Sequence, residues 1–194
     1  MQHQIKNKPD FASLHLQLDS GESVITESGA MMGMSGDLKM ETNMKGGLMG
    51  GLKRAVGGES LFMNTYTAEA DGQRLDLAPA APGDIHHEAL SGTIFVQSGA
   101  YMASTPGVEV DSKWGGAKTF FAGEGLFMLR CSGQGDLWFN SYGAIHEVHV
   151  EQTYTVDTSH IVGFDESLTF NIKKVGGLKS LFFSGEGLVC EFSG

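Results

Sequence analysis

Short apolar runs alternate with polar residues and glycine-rich turns along most of this chain. Leu14, Leu16 and Leu18 alternate with polar neighbours, which predicts a half-buried strand that ends at the turn of residues 19–21. A second short strand is predicted at residues 24–26. Because glycine-rich turns continue to separate short apolar runs up to the end of the sequence, the pattern predicts many short strands and an all-β fold.

A glycine-glutamate motif introduces an apolar run at three places. In two copies glycines flank the glutamate on both sides and favour positive φ, as primed hairpin turns and bulges require, whereas Ser60 takes the second place in the first copy. We interpret each glutamate as a turn residue that accepts backbone N–H bonds, with a ligand-binding or catalytic carboxylate as the alternative. The copies are Gly58-Glu59-Ser60-Leu61-Phe62-Met63, Gly123-Glu124-Gly125-Leu126-Phe127-Met128 and Gly185-Glu186-Gly187-Leu188-Val189-Cys190.

A second motif recurs ahead of each glycine-glutamate copy. It reads Glu27-Ser28-Gly29-Ala30, then Gln97-Ser98-Gly99-Ala100, then the diverged Asp157-Thr158-Ser159-His160. Aligning both motifs divides the chain into three units at roughly 24–90, 94–150 and 154–194. Because a unit this small cannot bury its own apolar face, we expect the units to fold together as a single pseudo-threefold β domain over residues 1–194.

The third unit is shorter than the second. After the second motif copy the chain continues to the apolar strand Leu137-Trp138-Phe139, whereas the sequence ends at Gly194 soon after the third copy. Either the last unit has been trimmed at this end or a closing strand is absent, and the pattern predicts an unfilled sheet edge there.

Charge narrows the classes of function. The chain has 13 basic and 23 acidic residues, a net charge of −10. A chain this acidic is repelled by phosphate backbones unless its Lys and Arg lie together on one face, so nucleic-acid binding is disfavoured. No apolar run approaches the ~18 residues of a membrane span, and the opening Met1-Gln2-His3-Gln4 has no signal-peptide core. A cytoplasmic location is therefore expected.

Candidate chemistry is sparse. Cys131 and Cys190 form neither a metal-type pair nor a disulfide framework, and we expect both in the core. The sequence has no Gly-x-Ser-x-Gly elbow, phosphate loop or Cys-x-x-Cys, so we assign no catalytic residue and expect no cofactor. The best metal-type cluster is His86-His87-Glu88, but adjacent strand residues point to opposite faces. An exposed polar turn after Pro82-Gly83-Asp84 is the alternative interpretation.

The first unit carries the largest insertion. It combines the apolar Leu48, Met49 and Leu52 with the basic Lys53 and Arg54. One interpretation is a mobile glycine-rich hairpin, or a short helix that covers an end of the core. The other is an adaptable contact for a protein partner or a membrane surface. The glycines of the insertion weaken any helix, which argues against a conventional amphipathic anchor.

The combined order of the motifs is more specific than any one of them. From about Ile5 onward the chain resembles the uncharacterised bacterial family related to the mitochondrial-biogenesis protein named for altered inheritance of mitochondria. The resemblance is carried by Glu27-Ser28-Gly29-Ala30-Met31, Gly50-Gly51-Leu52-Lys53-Arg54, Gly57-Gly58-Glu59-Ser60-Leu61-Phe62-Met63-Asn64, Pro82-Gly83-Asp84-Ile85, Gln97-Ser98-Gly99-Ala100-Tyr101 and both Gly-Glu-Gly-Leu copies.

The resemblance implies a β-sandwich or double-stranded β-helix similar to the tryptophan RNA-binding attenuation protein (TRAP-like), repeated three times in one chain. It also implies no established enzymatic activity and, in the mitochondrial branch, a role in organising inner-membrane complexes. The chain departs from the family in lacking the usual segment beyond Gly185-Glu186-Gly187 and in carrying His86-His87. Likeness of fold does not transfer tryptophan or RNA binding, because function lies in the site.

Two classes of function follow from these observations. We expect a non-enzymatic scaffold or assembly protein that forms a homo-oligomer and organises protein complexes, either in the cytoplasm or peripheral to a membrane. The alternative is a small-ligand or metal-binding β-barrel, with enzymatic activity as its extension, for which His86, His87 and Glu88 are the candidate residues.

Overall fold

The structure, a computed structural model, describes residues 1–43, 63–112, 127–174 and 188–194. Over these residues the chain forms β-strands, one 3-10 helix at Thr158–His160 and no α-helix, which confirms the predicted all-β class. The strands are β1 (Gln2–Lys6), β2 (Ser13–Leu18), β3 (Ser23–Glu27), β4 (Met31–Met34), β5 (Lys39–Asn43), β6 (Met63–Thr67), β7 (Gln73–Leu77), β8 (Ile85–Gln97), β9 (Tyr101–Ser104), β10 (Val108–Asp111), β11 (Met128–Asn140), β12 (Thr153–Asp157), β13 (Gly163–Asp165), β14 (Thr169–Lys174) and β15 (Leu188–Ser193).

The strands assemble into three antiparallel sheets within the described residues. A four-stranded sheet has the order β1-β2-β7-β4. An eight-stranded sheet has the order β13-β8-β11-β9-β3-β6-β5, with β10 also paired to β11. A three-stranded sheet has the order β12-β15-β14. None of the three orders closes on itself, so each sheet ends in edge strands.

One pairing pattern occurs in each of the three predicted units. β6 pairs with both β3 and β5, β11 pairs with both β8 and β10, and β15 pairs with both β12 and β14. In each case the strand that follows the glycine-glutamate motif lies in the middle. The tetrapeptide motif comes at the end of the first outer strand, so its copies at residues 27–30, 97–100 and 157–160 hold equivalent places in the topology.

Short strands connect the units. β9 pairs with β11 and also with β3, which joins the second unit to the first. β13 pairs with β8, which joins the third unit to the second. The eight-stranded sheet therefore contains strands from all three predicted units, and the units share hydrogen bonds as well as core.

The alternation of the first strands decides which residues enter the core. Leu14, Leu16 and Leu18 on β2 are fully buried, as predicted, and they pack with Leu75 and Leu77 of β7. Each fully buried leucine contributes roughly 1.5 to 3 kcal/mol relative to an exposed one. The prediction that the cysteines are core residues is also confirmed, since both are free and buried.

The expected unfilled edge after the third motif copy is wrong. β15 is the central strand of its sheet, with β12 on one side and β14 on the other. The strand is shorter than β11, but both of its edges are paired along its length. The reason is that the partners of β15 come from residues before it in the chain, so no later segment is needed to cover it.

Candidate functional site

Most residues that the sequence singled out lie outside the described residues. These are the motif residues Gly58, Glu59, Gly123, Glu124, Gly125, Gly185, Glu186 and Gly187, together with the insertion residues Leu48, Met49, Leu52, Lys53 and Arg54. The segments that contain them link β5 to β6, β10 to β11 and β14 to β15 along the chain. Their roles stay predictions.

The His86-His87-Glu88 cluster lies within β8, so the alternative of an exposed polar turn is wrong. The strand pairs residue by residue with β11, and this pairing sends the two histidines to opposite faces, as alternation predicts. The His86 ring stacks on Phe139 at a centroid distance of 4.9 Å, and its Nε2 lies 3.5 Å from a carboxylate oxygen of Glu88. His87 faces away from both residues.

His87 instead meets two residues that are distant in sequence. Its Nε2 lies 2.7 Å from Oδ1 of Asp136 on β11, and its ring centroid lies 4.1 Å from that of His3 on β1. One ligand-type atom from each of the three side chains falls within 4.8 Å of the others. We call these residues the His-Asp cluster. Within the described part of the chain, this is the group whose geometry suits a metal ion.

The cluster joins two sheets, because β1 belongs to the four-stranded sheet whereas β8 and β11 belong to the eight-stranded sheet. His3 lies between Met1 and Ile5 on the face of β1 that packs against the first core cluster. Strand β1 is held in place by its antiparallel register with β2 and by the pairing of the terminal amino group of Met1 with Glu22. His3 is exposed, and its two partners are half-buried.

Asp136 is fixed by its own backbone. Its N–H donates to Oγ1 of Thr105 at 2.9 Å, and its carbonyl accepts the Thr105 N–H at 2.9 Å. The preceding Gly135 makes this contact feasible, since a Cβ there would lie 2.2 Å from the Thr105 hydroxyl. A larger residue at 135 would therefore displace the threonine that positions Asp136.

Trp138 forms the floor of the cluster. Its indole ring is fully buried, and its centroid lies 5.5 Å from that of His3 and 5.4 Å from that of His87. Its Nε1–H has no hydrogen-bond acceptor among the described residues. A buried donor without a partner costs about 1 to 3 kcal/mol.

The electrostatics of the cluster favour a neutral imidazole. Burial lowers the pKa of His3, the neighbouring His87 lowers it further, and the carboxylate of Asp136 acts in the opposite direction. The lowered pKa of His3 favours the neutral imidazole, whose ring offers a nitrogen lone pair.

The cysteines are not nucleophiles. Burial raises the pKa of the Cys131 thiol to about 12 and that of Cys190 to about 11. Both stay protonated at physiological pH, whereas the thiolate is the reactive form.

A second feature of the surface is an edge that carries methionines. Met31, Met32 and Met34 on β4 are 38%, 57% and 40% exposed, and Met40 on β5 is 47% exposed. β4 ends the four-stranded sheet and β5 ends the eight-stranded sheet, and residues 35–38 connect them. We call β4 the methionine edge.

Sequence reasoning missed both of these features. Nothing near His3 or Asp136 in the sequence marks a site, because their proximity depends on how two sheets stack. Of the β4 methionines only Met31 belongs to a motif of the sequence, and the exposure of all three depends on β4 being an edge strand.

The fold and the surface together define a class. The chain is an all-β protein of several open antiparallel sheets, with a polar cluster between two sheets and an apolar edge. More particularly, it belongs to the AIM24 family, described as mitochondrial biogenesis AIM24, which matches residues 3–194. The resemblance drawn from the motifs is thereby confirmed.

Similar proteins in Streptococcus pyogenes have no assigned function in their descriptions. One uncharacterised protein is 29% identical over 205 aligned positions, which cover 100% of this chain and 82% of that protein. A crystal structure from the same species has 27% identity and a TM-score of 0.79, and the match covers 100% of this chain and 89% of the other. Among the described residues of the present chain, no helix has the length and apolarity needed to cross a membrane.

Proposed function

We propose that this protein is a non-enzymatic assembly protein that forms a homo-oligomer through the methionine edge. The observation that carries the proposal is that β4 is an edge strand made only of methionines and one glycine. Edge strands present unpaired N–H and C=O groups, and charged side chains are one means by which proteins protect them. β4 lacks that protection.

Charge favours β4 over the other edges as the contact between copies. The described edge strands β1, β5, β10, β12, β13 and β14 each contain at least one ionisable side chain, whereas β4 contains none. Two chains of net charge −10 repel one another unless their contact excludes carboxylates. An antiparallel β4-to-β4 contact around a twofold axis satisfies this condition and joins two four-stranded sheets into one.

The side chains of the edge suit a protein contact. Methionine is flexible and polarizable, and it adapts to the surface that it meets. Removing the exposed methionine side chains from water on association adds an apolar contribution of about 25 cal/mol per Å² buried, before the cost of association is subtracted.

We also propose that the chain is a TRAP-like pseudo-threefold assembly of three units. The support is the pairing pattern of β3-β6-β5, β8-β11-β10 and β12-β15-β14, together with the equivalent places of the tetrapeptide motifs. The measurement is superposition of the three strand triplets in an experimental structure of this chain. Triplets that fail to superpose would contradict the proposal.

The edge variant Met32→Lys/Met34→Lys tests the oligomer. Lysines on β4 place like charges opposite each other across the contact, so we expect sedimentation equilibrium to show a monomer where the parent chain is a defined oligomer. Because β4 is exposed, the melting temperature should stay within a few degrees of the parent. Tyr142→Ser, which alters a side chain that is 87% exposed outside the methionine edge, is the matched control and should keep the oligomer. An unchanged oligomer in the lysine variant would refute the proposal.

We further propose that the insertion residues Leu48, Met49, Leu52, Lys53 and Arg54 contact a protein partner or an anionic membrane surface. The support is their combination of apolar and basic side chains in an acidic chain, directly after the methionine-bearing β5. A location at the cytoplasmic face of a membrane fits this contact.

The triple variant of Leu48, Met49 and Leu52 to Ser tests the insertion. We expect co-sedimentation with anionic phospholipid vesicles to fall at least severalfold while the circular dichroism spectrum is unchanged. Phe11→Ser, at another exposed apolar position, is the control. Equal sedimentation of parent and triple variant would remove the membrane contact from the account.

A further inference from the structure

We propose that His3, His87 and Asp136 bind one divalent transition-metal ion of the Zn²⁺ class between the four-stranded and the eight-stranded sheet. The proposal goes beyond assembly, and it rests on residues that do not belong to the methionine edge. Its ligand set differs from the candidate cluster His86-His87-Glu88 of the sequence, because His86 and Glu88 lie on the other face of β8 from His87.

The spacing of the donor atoms suits a single ion. Zn²⁺ bonds of about 2.0 to 2.1 Å place tetrahedral ligands about 3.3 Å apart. In the cluster, His87 Nε2 and Asp136 Oδ1 are 2.7 Å apart, and the three donor atoms fall within 4.8 Å of one another. The 2.7 Å separation is shorter than the tetrahedral value and the upper bound of 4.8 Å exceeds it, so small side-chain rotations suffice to bring the three donor atoms to one ion.

The donor set selects the class of metal. Two imidazole nitrogens and one carboxylate oxygen are typical of Zn²⁺ sites that keep a further position for water. Ca²⁺ and Mg²⁺ prefer sets made of oxygen atoms, and Cu⁺ prefers sulfur. The cluster has neither composition, so a borderline first-row divalent ion fits best.

The surroundings hold the ligands in place. Asp136 is fixed by the two backbone hydrogen bonds to Thr105, and His87 lies on a strand that pairs with β11 over the full length of both. Such support is what orients metal ligands and raises affinity. His3 is the exposed member, so the site can be reached from solvent.

Calorimetric titration with Zn²⁺ tests the site. The protein is the full chain without a histidine tag, stripped with EDTA and desalted. We expect one Zn²⁺ per chain, and we expect His3→Gln, His87→Gln and Asp136→Asn each to weaken binding at least tenfold. His86→Gln is the matched control, since it removes the neighbouring imidazole on the opposite face of the same strand and should leave the affinity unchanged.

Tryptophan fluorescence localises the ion. The chain has two tryptophans, and in a Trp114→Phe background the remaining Trp138 contacts both imidazoles. Addition of Co²⁺, a paramagnetic probe for Zn²⁺ sites, should quench this emission in the parent background and leave it nearly unchanged when His3 is also Gln. Since His3 is exposed on an edge strand, this variant keeps its fold even if His87→Gln does not.

Two results would overturn the proposal. One is the absence of binding heat at Zn²⁺ concentrations up to about 100 μM. The other is an equal loss of affinity in His86→Gln and His3→Gln, which would place the ion elsewhere. Neither result bears on the methionine edge, and a failure of the edge variant has no effect on Zn²⁺ binding, so the two proposals fail separately.

Discussion

At the scale of single residues, Glu27 is a carboxylic acid that begins a repeated motif and is partly buried at the end of a strand, where burial disfavours its ionised form. It is the last residue of β3 and pairs with Met63 of β6. Burial raises the pKa of its carboxyl group from 4.5 to about 7. The folded state favours the protonated form of this carboxyl group, so ionisation of Glu27 lowers the free energy of unfolding.

The pH dependence of stability should therefore report Glu27. Between about pH 4.5 and 7 the folded chain retains a proton that the unfolded chain has lost, so the free energy of unfolding falls as the pH rises through this window. Glu27→Gln should be about 1 to 3 kcal/mol more stable than the parent at pH 8 and equal to it at pH 4. Urea denaturation at several pH values measures this.

Glu109→Gln, at an exposed position of β10, is the control and should keep the parent's pH profile. Parallel profiles for the parent and Glu27→Gln from pH 4 to 8 would show that Glu27 ionises in the folded state as it does in water.

The histidines show which features of the site the sequence pattern can predict. The alternation of side chains along a strand was enough to separate His86 from His87, and the structure confirms it. Alternation could not identify His3 or Asp136 as partners of His87. His3 approaches His87 because two sheets stack, and Asp136 approaches it because of the register between β8 and β11. Local patterns fix the face of a side chain, whereas its partners are fixed by topology.

At the scale of elements, the recurring motifs predicted recurring strands, but neither the pairing order of the strands nor their lengths. Each tetrapeptide copy follows the end of a strand, and each glycine-glutamate copy precedes or begins the next central strand. The length of β8 was missed, because the run from Ile85 to Gln97 has no strict alternation and includes Gly92. Glycine within a strand weakens the pattern from which strands are predicted.

In the turn before β8, position 83 must be glycine because the backbone of residues 141–143 lies too close for a side chain. Gly83 forms a bridge with Gly143, and the Asp84 N–H donates to the Gly143 carbonyl at 3.0 Å. A Cβ at Gly83 would lie 1.7 Å from the Ser141 carbonyl oxygen. The sequence suggested a turn at Pro82-Gly83-Asp84, but the contact that demands the glycine lies far along the chain and could not be inferred locally.

At the scale of the whole molecule, the eight-stranded sheet contains strands from all three predicted units. β9 lies between β11 and β3, and β13 extends the eight-stranded sheet beyond β8. Repetition in the sequence therefore predicted that the parts depend on one another, but it did not predict which strands would be left as edges. Edges are a property of the complete pairing order, and β4 is an edge because β7 pairs with it on one side only.

Hydrogen–deuterium exchange of the full chain at two concentrations tests the central claim most directly. If two copies pair through β4, peptides covering residues 31–34 should exchange slowly at about 100 μM and faster after dilution to about 1 μM. Peptides covering β14, an edge strand with charged residues, should exchange at the same rate at both concentrations. Exchange in β4 that is independent of concentration, in a chain shown to be oligomeric, would contradict the account.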